Sequence, residues 1–344
     1  MNNLRTGAFS ATWAYRMTER PALKEPETVR FYAKSCRAPT TYPIRPPHLY
    51  SRARFSYDQV KCARRVAEMT ETTALSSALC RRVLRCFGLP TDSPPNLDTL
   101  RQLLARYTRA VPWESASRIG RRARYQAAAD CALLGAGFWA SHFESGAGGT
   151  CYESNYAFFG LLRFMGFEGY LTINDMGGAI GCHSAITVIV AGQKYLVDVG
   201  YPVHALIPLN DSGKSFVCSA IMDYTIEPLG VDRYAVWRET QPRVSAFQLN
   251  DAPVAEADYR AIAIHDYRHD GGQFLDKIVI HKVIDEQLWR FNGDERPWRI
   301  QQFVEGERCD HELGDNPAAE LSEKFGIARE VVAEAMRALD SRTR

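Results

Sequence analysis

GAGGTCYESN, residues 146–155, fixes where the central helix of this chain begins. A run of small residues leads into Cys151. The stretch that follows, CYESNYAFFGLLRFM (151–165), is apolar almost all round after its first turn, so it predicts a helix buried inside a domain and ended by Gly166. A thiol at such a helix start meets unpaired N–H groups and the positive end of the dipole, both of which favour its anion and could hold an oxyanion. A lone cysteine in an apolar helix is ordinarily a small core residue, so its reading as a nucleophile depends on partners elsewhere.

Upstream, apolar residues recur at helical spacing: Leu75, Leu79, Val83 and Leu84, then Leu97, Leu100, Leu103, Leu104, Tyr107 and Val111 after the break PTDSPPN (90–96). Two packed helices are expected there. Downstream of Gly166 the period becomes two, in YLTIND (170–175), HSAITVIVAG (183–192) and QKYLVDVG (193–200), with further strand-like pieces at 223–238 and 277–290. These predict a sheet or barrel. A last helical pattern covers 317–339.

His183 and Asp198 lie in adjacent strand candidates. If these meet in a two-residue turn at Ala191-Gly192 or Gly192-Gln193, paired numbers sum to 383 or 385, and His183 faces Gly200 or Pro202. Asp198 then shares its face; under the tighter register the two are diagonal neighbours about 7–8 Å apart at the backbone. A three-residue loop would put them on opposite faces. Asp198 is also an acid inside the apolar strand YLVDV, where an unpaired carboxylate is costly, so it needs a partner. Cys151, His183 and Asp198 together form a nucleophile, a base and an orienting acid.

The composition bounds the rest. The chain has 344 residues and a net charge of +2, which hides an asymmetry. Residues 1–68 carry 13 Lys/Arg against 5 Asp/Glu, and the remainder 29 against 35. The first segment has no sustained apolar period and reads as a basic, disordered extension, with a domain start at Met69. It lacks the interleaved aromatics of a nucleic-acid platform. No stretch reads as a membrane span or a secretory signal. The nine cysteines (36, 62, 80, 86, 131, 151, 182, 218, 309) form no C-x-x-C pair, so neither a disulfide framework nor a zinc ribbon is implied, and a cytoplasmic setting is expected.

GGTCYESN resembles the Arg-Gly-Gly-x-Cys-(Phe/Tyr)-Glu-x-Asn signature of the arylamine N-acetyltransferases. YLVDVGY is similar to that family's aspartate strand, VPWES (111–115) to its Ile-Pro-Phe-Glu-Asn element, and FGIAREVV to its closing helix. The resemblance spans roughly residues 75–340. It implies an α+β fold with a cysteine-proteinase-like core: a helical domain carrying the cysteine (69–165), a β-barrel domain carrying His and Asp (166–274) and an α/β lid (275–344). It further implies a ping-pong acyltransferase using Cys151, His183 and Asp198, with acetyl-coenzyme A as co-substrate, an arylamine or other small amine as acceptor, no metal, and Trp113 and Tyr201 in the aryl pocket. The chain departs from the pattern at Ala147 (arginine in the family), Ser115 (asparagine) and Pro202 (glycine). Arg118, Arg121 and Arg122 are the candidates to take over the arginine's task.

Other readings stand beside this one: an amide synthase taking its acyl chain from an acyl carrier protein, a Cys-His-Asp hydrolase, and a non-catalytic binding protein. His265 and His269, with Asp266 and Asp270, form a weak metal pattern that lacks a third distant ligand and reads better as a polar loop before the lid. Cys182 reads as packing, since neighbours on a strand face opposite ways. Gly177-Gly178 reads as a loop near the mouth of the site.

Overall fold

The computed structural model describes residues 74–342 apart from 220, 241, 269–271 and 305–306. The expectations for residues 1–68, the domain start at Met69, and His269 and Asp270 lie outside the described residues.

Helices α1 (Ser77–Cys86) and α2 (Leu97–Ala110) begin at polar caps, with the Ser76 and Asn96 side chains accepting from Leu79 N at 3.3 Å and Thr99 N at 2.9 Å. A two-residue strand, β1 (Trp113–Glu114), follows. Then come α3 (Ala116–Arg124), a single turn α4 (Ala128–Cys131) and α5 (Ala136–Ser145). The apolar pattern singled out none of these three; on α3, Arg118 and Arg121 are buried beside Ala116 and Ile119 and interrupt the aliphatic stripe. Helix α6 (Cys151–Phe164) starts at Cys151, and every residue from there to Leu162 is buried. Its aromatic side packs on α2 and α5: Phe158 meets Tyr107 edge-on at 4.9 Å, and Tyr107 meets Trp139 at 6.0 Å.

Eight antiparallel strands form a nearly closed, barrel-like sheet: β2 (Glu168–Met176), β3 (Ala179–Val190), β4 (Gln193–Val197), β5 (Ile207–Pro208), β6 (Ser215–Val217), β7 (Tyr224–Gly230), β8 (Arg233–Arg238) and β9 (Val244–Asn250). Their spatial order is β5-β4-β3-β2-β9-β8-β7-β6. Tyr224, Tyr234, Val236, Phe247 and Leu249 fill its interior, while Ile186, Val188 and Val197 face outward onto the helices. The β3–β4 hairpin turns at Ala191 (φ 49°) and Gly192 (φ 78°), a two-residue connection of the primed type, and Ile186 pairs with Val197. The tighter of the two expected registers is the one adopted.

After α7 (Glu256–His265), a second antiparallel sheet is built from β1, β10 (Val279–Ile284), β11 (Gln287–Asn292), β12 (Arg299–Val304) and β13 (Glu307–Glu312), in that order. Ile280, Phe291 and Ile300 face α8 (Pro317–Phe325) and α9 (Arg329–Arg342), in a core that Ala116, Ile119 and Cys131 also enter. The register sets Trp113, His281, Arg290 and Gln301 in one row on the opposite face. The single closing helix expected over 317–339 is in fact two. Gly326 (φ 70°) caps α8 in the left-handed conformation and turns the chain before α9. No described helix is long and apolar enough to cross a membrane.

Candidate active site

Cys151 is the first residue of α6, preceded by a loop that only glycine permits: a Cβ on Gly148 would sit 1.8 Å from the Pro112 carbonyl oxygen. That loop is tied to β1 by Glu114 N donating to Gly149 O at 3.2 Å, and by Gly148 N donating to the Glu114 carboxylate at 3.1 Å. On the other side the chain after β4 comes equally close, since a Cβ on Gly200 would lie 2.3 Å from Cys151 Cα. The helix start is clamped between two backbones.

The structure brings Cys151, His183 and Asp198 together. His183 Nε2 lies 2.7 Å from Asp198 Oδ2, with both side chains buried. Cys151 also bears on this imidazole, helping to raise its pKa, and with Asp198 on Nε2 the ring nitrogen left to face sulfur is Nδ1. Sγ is also 3.8 Å from the Cys182 carbonyl. Asp198 finds more than the one partner its burial demanded. Its Oδ1 accepts from Asn155 Nδ2 at 2.9 Å, Gly200 N at 2.7 Å and Tyr201 N at 3.0 Å. Burial alone would push the His183 pKa down; the Asp198 charge and hydrogen bond, then Cys151, outweigh it and hold the imidazole up at about 9. The imidazole is thereby held protonated at neutral pH, with the Asp198 carboxylate as its main partner.

Asn155 had no assigned role from sequence, although its place one turn after Cys151 put it on the same helix face. It also donates to Ser184 O at 2.7 Å and accepts from Val199 N at 3.1 Å, so it pins α6 to both strands of the hairpin. Tyr259, from α7, adds a hydroxyl 2.8 Å from Tyr152 O and 2.9 Å from Ser184 Oγ.

Beneath the helix start lie Arg118 and Arg121, whereas Arg122 donates to Tyr125 O at 3.1 Å. Arg121 Nη2 donates to both oxygens of Glu153 at 2.7 and 2.8 Å, and its Nε to Cys131 O at 2.7 Å. Arg118 donates to Thr150 Oγ1 and pairs with Asp266, while its Nε reaches Tyr267 Oη at 3.0 Å. Burial would lower the pKa of both guanidiniums, but Tyr267, Asp266 and Glu153 around them raise it further. Asp266, grouped by sequence with His265 as a weak metal pattern, is here an arginine partner.

Trp113 and Tyr201 flank the site differently. Trp113 is buried, edge-on to Phe274 at 4.9 Å and tilted against His281 at 5.1 Å. The cavity beside it, bounded by Tyr107, Val111, Pro202 and His281, is about 10 Å³, room for a single water. Tyr201 stands next to His183, ring centres 6.1 Å apart, with the Arg238 guanidinium 3.7 Å over its ring. Pro202 O accepts from Arg238 Nη2 at 3.5 Å.

A sequence model of an N-acetyltransferase family matches residues 96–328. The chain belongs to the arylamine N-acetyltransferase family. Its fold is similar to that of an arylamine N-acetyltransferase from Mycobacterium abscessus (TM-score 0.64, 21% identity, covering 77% of this chain and 95% of that one). It is similar too to the arylamine N-acetyltransferase of Mycobacterium smegmatis (TM-score 0.62, 21% identity, 75% and 97% covered). A third likeness is the Mycobacterium marinum enzyme in complex with CoA (TM-score 0.61, 20% identity, 76% and 96% covered). At these identities the likeness speaks for the fold: helices, barrel and lid. No curated protein sequence matches the chain.

Proposed function

We propose that this member of the family is a ping-pong acyltransferase in which Cys151 is the nucleophile, His183 the general base and acid, and Asp198 the group that orients the imidazole. The division into a helical part (69–165), a barrel (166–274) and a lid (275–344), with α3 and α4 lending side chains to the lid's core, goes with this proposal. The observation that carries it is the buried His183–Asp198 pair at 2.7 Å, with Cys151 at a helix N-terminus acting on the same imidazole.

The Cys151 thiolate attacks the carbonyl carbon of an acyl thioester, of which acetyl-coenzyme A is the proposed donor. First-turn N–H groups of α6 face the oxyanion that forms. The carbon–sulfur bond to the donor breaks, its thiolate takes the proton held on His183 Nδ1, and an acyl-cysteine remains. An arylamine nitrogen then attacks that thioester, His183 Nδ1 accepts the ammonium proton, and Cys151 leaves as a thiolate beside the imidazolium. Asp198 keeps its charge throughout and fixes the ring by accepting from Nε2–H.

Intact-protein mass spectrometry after incubation with acetyl-coenzyme A tests nucleophile and donor together. An added mass of about 42 Da on the native chain, absent from Cys151→Ala, is expected for a covalent acyl-cysteine. No added mass on the native chain, or the same mass on the variant, would overturn the proposal.

A further inference from the structure

Around Tyr201 the structure gathers four basic side chains whose polar atoms are not used up. Arg238 comes from the end of β8, Arg290 and His281 face each other across β11 and β10, and His204 lies in the loop after β4. Arg238 Nε, Arg290 Nε, His281 Nε2 and His204 Nδ1 are each buried without a hydrogen-bond partner. Among the described residues Arg238 has no carboxylate within salt-bridge distance. Its contacts are the Tyr201 ring and the Pro202 carbonyl. Arg290 reaches Glu295 only at 4.0 Å, and that carboxylate is already held by Arg308 at 2.7 Å and Gln301 at 2.8 Å.

Such a cluster is costly unless something joins it. Buried donors left unmade, and two guanidiniums facing one region with only the distant, shared Glu295 carboxylate as counter-charge, both disfavour the unliganded state. The histidines register the strain. Burial, Arg238 and Arg109 push His204 down to about 3, and burial, Arg290, Arg238 and His204 push His281 well below its usual value. Both rings are therefore neutral at pH 7, and the positive charge rests on the arginines. Arg290 is about a third exposed (34%), so the cluster opens to solvent.

We propose that Arg238 and Arg290, assisted by His204 and His281, form an anion-binding subsite that recognises a carboxylate or phosphate on a substrate of the Cys151 centre. The inference rests on the acyltransfer reading for what it means, although not for its test. Guanidinium forks match the planar geometry of a carboxylate and the oxygens of a phosphate, and do so best where solvent is partly excluded. Position argues for the acceptor: Tyr201 neighbours both groups, its ring centre 6.1 Å from that of His183 and 3.7 Å from the Arg238 guanidinium carbon. An amine on a benzene ring, with an anionic group at the opposite end, spans that interval. The donor offers the same chemistry in its phosphates.

Full-length protein carrying Arg238→Gln or Arg290→Gln separates the sources. For the acceptor, kcat/KM for 4-aminobenzoate is compared with that for its neutral methyl ester. For the donor, the acylation rate from acetyl-coenzyme A is compared with that from S-acetylpantetheine, which has no phosphate. A fall of about tenfold or more in either preference supports the subsite and names its ligand group, carboxylate or phosphate. Arg238→Lys keeps a charge and should restore part of the preference; it also serves if the glutamine variant does not fold. Titration of Cys151→Ala with benzoate and with inorganic phosphate needs no turnover, so it stands even if acylation never occurs. Binding of one of these anions, weakened about tenfold by Arg238→Gln or Arg290→Gln, supports the subsite. If neither preference and neither anion's affinity responds to either substitution, the subsite does not exist.

Discussion

Two pairs of arginines flank the catalytic cysteine proposed here, and they are built on opposite plans. Arg118 and Arg121, under the N-terminus of α6, have Glu153, Asp266, Tyr267, Thr150 and the Cys131 carbonyl around them. Arg238 and Arg290, beyond Tyr201, have a ring, one carbonyl and one distant carboxylate. The first pair is a closed network, so its charge is spent on holding the backbone that presents Cys151. The second keeps its donors available. Burial alone does not tell a structural arginine from a recognition arginine; the state of its partners does. Between the pairs lies His183–Asp198, closed in its hydrogen bonds and yet turned toward a reacting atom.

That contrast can be tested from the strongest effect downward. Asp198→Asn leaves the volume and most hydrogen bonds but removes the charge that holds His183, and acyl transfer should fall by about 10³–10⁴-fold in single-turnover assays. The same pair sets a pH dependence of stability. Because the folded His183 pKa is raised to about 9, above the ordinary value near 6.5, its contribution is whole below about 6.5 and is lost as pH rises through about 9. Urea midpoints should therefore drop across that window in the native chain. In Asp198→Asn that drop should be largely gone.

Glu153→Ala would strip the closed network of its central anion and leave buried Arg121 without its hydrogen-bonded counter-charge. A loss of about 3–5 kcal/mol in urea unfolding is expected, with Cys151 reactivity falling along with it. Gly200→Ala presses a methyl group against Cys151 Cα and Cβ, at 2.3 and 2.7 Å, and should cost about 1–3 kcal/mol and slow iodoacetamide alkylation. At the bottom of the scale, Arg238→Met removes a partly exposed cation from a cluster of like charges. Unfolding free energy should change by less than about 1 kcal/mol, in either direction. A large destabilisation there would mean that the open pair is structural after all, and the comparison would fail.

The fold was legible wherever its signal was local. The small-residue lead-in and the apolar run placed α6 from Cys151 onward, the PTDSPPN break separated α1 from α2, and Ala191-Gly192 set the hairpin register that gives His183 and Asp198 a common face. Two things escaped for identifiable reasons. Helix α3 buries arginines, and a face of buried cations reads in sequence as a solvated one. Gly326 stops α8 inside a pattern that stays amphipathic through α9, so periodicity alone ran the two together. The open arginine pair was harder still, since Arg238 and Arg290 meet only through strands of different sheets. A trace existed: in RYAVWR, Arg238 follows Tyr234 and Val236 at period two, so it belongs to the inward row.

Strand β1 is only two residues long, but one of its edges is hydrogen-bonded to the lid strand β10 and the other to Gly149, two residues before the sulfur. The cover and the reacting atom are thereby parts of one mechanical linkage. Any displacement of the second sheet would therefore pull on the peptide chain that leads into Cys151, because both hang on the same two-residue strand.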